Sequence, residues 1–123
     1  MQPDELSSEP VFNLPELLVR VDNDSELLRE VIALCKAEIS RHIPLLHEAV
    51  AKADVKNSEK LGHTLRGMLL HLAAPRAAAA AGRLEELGRS GDTARLGSAV
   101  ATFETEAAKL ITVLEAYTAK IQP

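Results

Sequence analysis

The chain has 123 residues, 46% of them hydrophobic and 2% aromatic, and a formal net charge of −4. That is one ordinary domain, long enough to bury a core without metal or disulfide and too apolar to be a disordered segment. Net acidity argues against general nucleic-acid binding. The single cysteine, Cys35, excludes an internal disulfide and fits a reducing compartment.

Residues 1–11 are polar, acidic and broken by Pro3 and Pro10, and read as a flexible tail ahead of one bundle over residues 12–121. A short first helix is expected over Leu14 to Arg20, with Pro15 tolerated in its first turn. Asp22 to Ser25 form a cluster of capping residues, and Asn23 with Glu26 has the spacing of a capping box. A long helix to about Ala53 follows. Leu28, Val31, Cys35, Ile39, Ile43, Leu46 and Val50 mark its apolar face, on which Cys35 reads as a small core residue. Pro44 removes a backbone donor and is expected to kink or split this helix.

Asp54 is placed to cap the next helix, which carries Leu61, Leu65, Met68 or Leu69, and Leu72 inward. Ala74-Pro75 ends it, and Pro75 starts another helix through Ala77 to Ala81, Leu84 and Leu87. Gly88 to Asp92 read as a turn. The last helix has the cleanest stripe: Leu96, Val100, Phe103, Ala107, Leu110, Leu114, Tyr117 and Ile121. No strand alternation occurs, so the fold class is all-α: an antiparallel four-helix bundle with a short additional N-terminal helix.

No stretch approaches the roughly 20 apolar residues of a membrane span. The start, Met1 to Glu5, lacks the basic and apolar regions of a secretory signal. A soluble, cytoplasmic, monomeric and free-standing protein is expected, with no membrane or nucleic-acid partner. Residues 55–90 carry six cations, Lys56, Lys60, Arg66, Arg76, Arg83 and Arg89, against Glu59, Glu85 and Glu86. A basic segment in an acidic chain suggests an acidic partner surface, although scatter in a short sequence gives the same count.

The four histidines have no metal-ligand spacing. His42 and His47 are five apart, His63 and His71 eight apart, and no cysteine cluster accompanies them, so no metal site is expected. The carboxylates lie mostly opposite the apolar stripes and read as solvated surface. His63 has distinctive neighbours. Arg66 and Gly67 lie about one turn on, Glu59 and Lys60 one turn back, and the leucines point the other way. A glycine in mid-helix costs about 1 kcal/mol relative to alanine, which suggests a backbone that something must approach closely. An exposed imidazole is a competent nucleophile toward phosphorus, and a nearby cation stabilises the added charge. On these features alone a structural histidine is favoured, and a reactive one remains open.

His63-Thr64-Leu65-Arg66-Gly67 resembles the His-x-Leu-Lys-Gly signature of histidine-containing phosphotransfer (HPt) domains. Pro44-Leu45-Leu46, the stretch from Ala51 to His63, Leu72-Ala73-Ala74 and Gly91-Asp92 are similar to further segments of that family, so the likeness spans nearly all of residues 12–118. The resemblance implies a phosphorelay protein, a phosphocarrier with no kinase activity of its own. His63 then accepts a phosphoryl group from a receiver-domain aspartyl phosphate and passes it to another receiver. Arg66, where the family usually has Lys, then stabilises the phosphoryl group, and Gly67 gives the partner access.

Glu59, Lys60 and Leu70 are the expected partner-binding positions. The expected partners are response-regulator receiver domains and a hybrid histidine kinase. No cofactor is implied beyond Mg²⁺ on the receiver. Met68 and Leu69 stand where small residues are usual, and Ala73 where glycine is usual; these departures bear on partner choice. The main alternative is a non-phosphorylated bundle acting as an interaction module. A kinase dimerisation helix fits less well, because Thr64 follows His63 and no proline lies between His63 and Pro75.

Overall fold

The computed structural model describes residues 10–120. It contains five helices: α1 (Leu14–Arg20), α2 (Ser25–Ala51), α3 (Val55–His71), α4 (Pro75–Ser90) and α5 (Thr93–Lys120). Helix α2 packs on α3, α3 on α4, α4 on α5, and α5 back on α2, which closes a ring of four. The pairing is antiparallel. Along α2 and α5, Lys36 meets Glu115, His47 meets Glu104 and Val50 lies near Gly97. Along α4 and α5, Arg76 meets Glu106.

The turns repeat one device. After α1, α2, α3 and α4, a residue in the left-handed region reverses the chain: Asp22, Ala53, Ala73 and Gly91, with φ of 55°, 52°, 62° and 73°. In each case the next amide reaches back to the last helical turn, as in Asp54 N to Ala49 O at 2.8 Å and Ala74 N to Leu69 O at 2.9 Å. This satisfies carbonyls the helix end leaves open. After two of these turns the following residue caps the next helix. Asp54 accepts from Asn57 N, and Asp92 accepts from Arg95 N. Only one of these four turn residues is glycine. A Cβ in that region costs about 1–2 kcal/mol per residue.

Several local expectations need correction. Asp24, and not Asn23, caps α2, accepting from the amides of Glu26 and Leu27. Asn23 is itself left-handed, with φ 57°, so it belongs to the turn. Pro44 does not split α2, which runs unbroken from Ser25 and ends at Ala51, short of Ala53. The buried seam of α2 is Leu28, Ile32, Cys35, Ile39, His42, Leu46 and Ala49, with Val31, Ile43 and Val50 only partly buried beside it. The stretch Gly88 to Ser90 is helical, so the turn is Gly91 and Asp92 alone. Val11, assigned by sequence to the tail, packs partly buried against the core. Residues 1–9 of that tail, and Ile121, lie outside the described residues.

The core runs the length of the ring: Leu65 and Leu69 from α3, Ala77, Ala81 and Leu84 from α4, and Phe103, Leu110 and Leu114 from α5. Fully burying each leucine contributes about 1.5–3 kcal/mol. The thiol of Cys35 is buried here, and burial pushes its pKa up to about 12, so it is an inert core group. Helix α1 closes one end. Asn13 N donates to Ala73 O at 2.8 Å, and Arg20 donates to the carbonyls of Leu70 and His71 at 2.6 and 2.8 Å. Among the described residues no helix is long and apolar enough to cross a membrane.

Candidate functional site

The site is built on the α3–α4 contact, and two glycines set its closeness. A Cβ at Gly62 would lie 2.6 Å from Glu85 N and 2.8 Å from Ala81 O. One at Gly88 would lie 2.5 Å from Glu59 N and 2.6 Å from Val55 O. No side chain fits between the backbones at either position. The two helices therefore touch directly, and the face of α4 around Glu85 comes up beside the turn of α3 that holds His63.

His63 is exposed, its side chain retaining 67% of its accessible surface, while Glu85 beneath it retains 9%. Nδ1 of His63 donates to Oε2 of Glu85 at 2.9 Å. Arg66 Nε donates to Oε1 of the same carboxylate at 3.0 Å, and Arg89 Nη2 donates to Oε2 at 2.9 Å. Arg89 Nε also reaches back to Glu59 on α3, at 3.1 Å. One buried carboxylate thus serves an imidazole and two guanidiniums. Burial pushes the Glu85 carboxyl up, but the His63 hydrogen bond and the Arg66 charge outweigh it, and the group sits below the ordinary glutamate range.

An ionised carboxylate only accepts, so the His63 hydrogen is assigned to Nδ1 from its partner. In the neutral ring the lone pair is then on Nε2. Such an atom can attack an electrophile presented from solvent.

The remaining sequence candidates divide. Nothing lies within 4 Å of a Cβ built at Gly67, so the helix surface there is open, and the close approach inferred for this glycine is not an internal one. Glu59 and Lys60 line a shallow depression with His63, Thr64, Glu85 and Arg89. Leu70 stands two turns along α3 from His63 and is half exposed. Beyond it an apolar groove between α1, α2 and α3 is lined by Leu27, Leu34, Cys35 and Met68. Met68 is therefore partly buried at the mouth of a groove, and Leu69 is the residue in the core.

Three residues depart from the general pattern. Of the basic segment, Arg76 turns into the bundle and pairs with Glu106 through two 2.9 Å hydrogen bonds. Among the carboxylates, Glu85 and Glu106 are buried. Glu85 and Arg89 are the site residues that sequence reasoning missed. A signal was present for Glu85: it lies in the helical register of Ala78, Ala81 and Gly88, where a solvated residue does not belong.

The family model of the Hpt domain matches residues 30–118. The chain belongs to the Hpt domain family. A phosphotransfer function in phosphorelay signalling follows for this Hpt domain, which acts as a phosphocarrier. Receiver domains and histidine kinases are the proteins that Hpt proteins of phosphorelays meet. The crystal structure of histidine-containing phosphotransfer protein B from Pseudomonas aeruginosa PAO1 superposes on this Hpt domain with a TM-score of 0.75. The match covers 92% of this chain and 98% of that one at 20% identity, a likeness of fold. Comparison with curated proteins returned no match.

Proposed function

We propose that His63 is the phosphoryl acceptor and that Nε2 is the reacting atom. The observation that carries this reading is the Nδ1 hydrogen bond to buried Glu85, which orients an exposed ring and leaves Nε2 free. The Nε2 lone pair attacks phosphorus of a receiver's aspartyl phosphate. The N–P bond forms, the P–O bond breaks, and the aspartate leaves as its carboxylate. The Nδ1 proton stays on the ring, and the positive charge that develops there is offset by Glu85. Reversal onto a second receiver returns the ring to its starting state.

Arg66 swings from Glu85 to the phosphoryl oxygens, where a guanidinium matches their geometry. Gly67 leaves the partner room, with Glu59, Lys60 and Leu70 at the edge of the docking face. Mg²⁺ and most of the electrostatic catalysis come from the receiver, so the domain needs no cofactor and has no kinase activity of its own. A hybrid histidine kinase is the expected source of the phosphoryl group. The protein works as a cytoplasmic monomer, with residues 12–121 as one functional domain. A stable dimer by light scattering that buries the His63 face would count against docking. The reading is tested by incubation with a phosphorylated receiver. Wild type takes up acid-labile phosphate and His63→Gln does not; equal labelling of both moves the acceptor elsewhere.

A further inference from the structure

Arg89 has no place in the transfer chemistry just described, since its guanidinium pairs with carboxylates and not with the imidazole. Yet its guanidinium holds a carboxylate from each wall of the site. Its Nη2 donates to Glu85 Oε2 at 2.9 Å and its Nε to Glu59 Oε2 at 3.1 Å. Glu59 lies one turn before His63 on α3, and Glu85 one turn before Arg89 on α4. We propose that Arg89 is a positioning residue: by bridging Glu59 and Glu85 it fixes the carboxylate that orients His63. This rests on the reading of His63 as acceptor.

The physical need arises from the shared carboxylate. Glu85 is buried and has two guanidinium partners before transfer. When Arg66 engages the incoming phosphoryl group, Glu85 loses one of them. Without Arg89 the buried carboxylate would then keep only the His63 hydrogen bond, and a buried charge so poorly partnered is costly. Arg89, anchored from the far side by Glu59, keeps Glu85 charged and stationary while Arg66 moves. Arg89 itself is exposed, as is its pair with Glu59, and such pairs contribute little to stability. The role of Arg89 is therefore geometric, and its loss should move the site more than the fold.

The readout is the ¹⁵N spectrum of His63, which reports the ratio of Nδ1–H to Nε2–H tautomers. It is followed in wild type, Arg89→Met and Arg89→Lys, beside the kinetics of phosphoryl uptake from a phosphorylated receiver. In Arg89→Met the ratio shifts toward Nε2–H by at least about twofold, and kcat for uptake falls about tenfold with KM unchanged. Arg89→Lys, which keeps the charge but cannot span both carboxylates, recovers part of each effect. An unchanged ratio in the folded variant overturns the proposal, as does a shifted ratio with normal uptake. If Arg89→Met does not fold, Arg89→Lys decides, and a wild-type ratio there overturns it. If no variant, wild type included, accepts phosphate, the acceptor reading fails, and the tautomer ratio still decides for or against Arg89.

Discussion

Oε2 of Glu85 lies 2.9 Å from Nδ1 of His63, although the two residues are 22 apart in sequence and one is buried while the other is exposed. That contact turns an ordinary surface histidine into an oriented one. Removing it should slow transfer without unfolding the bundle. Glu85→Ala is expected to lower the rate of phosphoryl uptake by about tenfold to a hundredfold, the worth of a hydrogen bond to a charged group. Glu85→Gln, which can still accept from Nδ1, should lose less. Rapid-quench measurement of uptake from a phosphorylated receiver checks the order.

Acid should weaken the same contact. The folded Glu85 carboxyl holds its proton less tightly than its ordinary value of 4.5. Its contribution to stability is therefore complete above that value and is lost as pH falls through the lower folded one. In urea unfolding, the advantage of wild type over Glu85→Gln should shrink between about pH 5 and pH 3. An advantage that grows on acidification contradicts the depressed carboxyl.

Three glycines of the α3–α4 pair should respond in opposite ways to alanine. At Gly62 and Gly88 the new Cβ meets backbone at 2.5–2.8 Å. Each substitution should destabilise by about 1–3 kcal/mol, read as a fall in the denaturation midpoint. At Gly67 the space is open. Gly67→Ala should gain up to about 1 kcal/mol from helix propensity. Gly67→Leu should keep the fold and lose uptake if, as proposed, the receiver docks over this position.

The helix plan was largely legible from punctuation. Asp54, Pro75 and Asp92 start helices where their chemistry says they should, because a carboxylate that satisfies free amides, or a proline in a first turn, is a local rule. Pro44 does not divide α2, because a proline removes a single backbone donor and the helix continues on both sides of it. Asn23 misled because the chain reverses through left-handed Asp22 and Asn23, leaving the cap to Asp24.

Of the site, His63, Arg66 and Gly67 could be found within one turn of helix. Glu85 and Arg89 could not, since their meeting with His63 depends on how closely α3 and α4 approach. That closeness rests on Gly62 and Gly88, which look in sequence like a mid-helix glycine and a turn glycine.

Strain in the turns gives a stability test unconnected to phosphate. Ala53 and Ala73 hold left-handed φ of 52° and 62° with a Cβ present. Ala53→Gly should stabilise by up to about 1 kcal/mol, the relief of strain less the added freedom of the unfolded chain. Ala73→Gly should gain less, because the Ala73 methyl is buried and each buried carbon is worth about 0.8 kcal/mol. Thermal denaturation of both variants beside wild type tests the ranking.

The central claim is that Glu85 holds Nδ1 of His63 and leaves Nε2 to react. The most direct measurement is NMR of the protein after phosphorylation by a receiver, with ¹⁵N-labelled histidine and ³¹P detection to identify the phosphorylated nitrogen. The expected result is one phosphohistidine, at residue 63, with phosphorus on Nε2 and the proton on Nδ1. Phosphorus on Nδ1 of His63, or on another histidine such as His71, would contradict it.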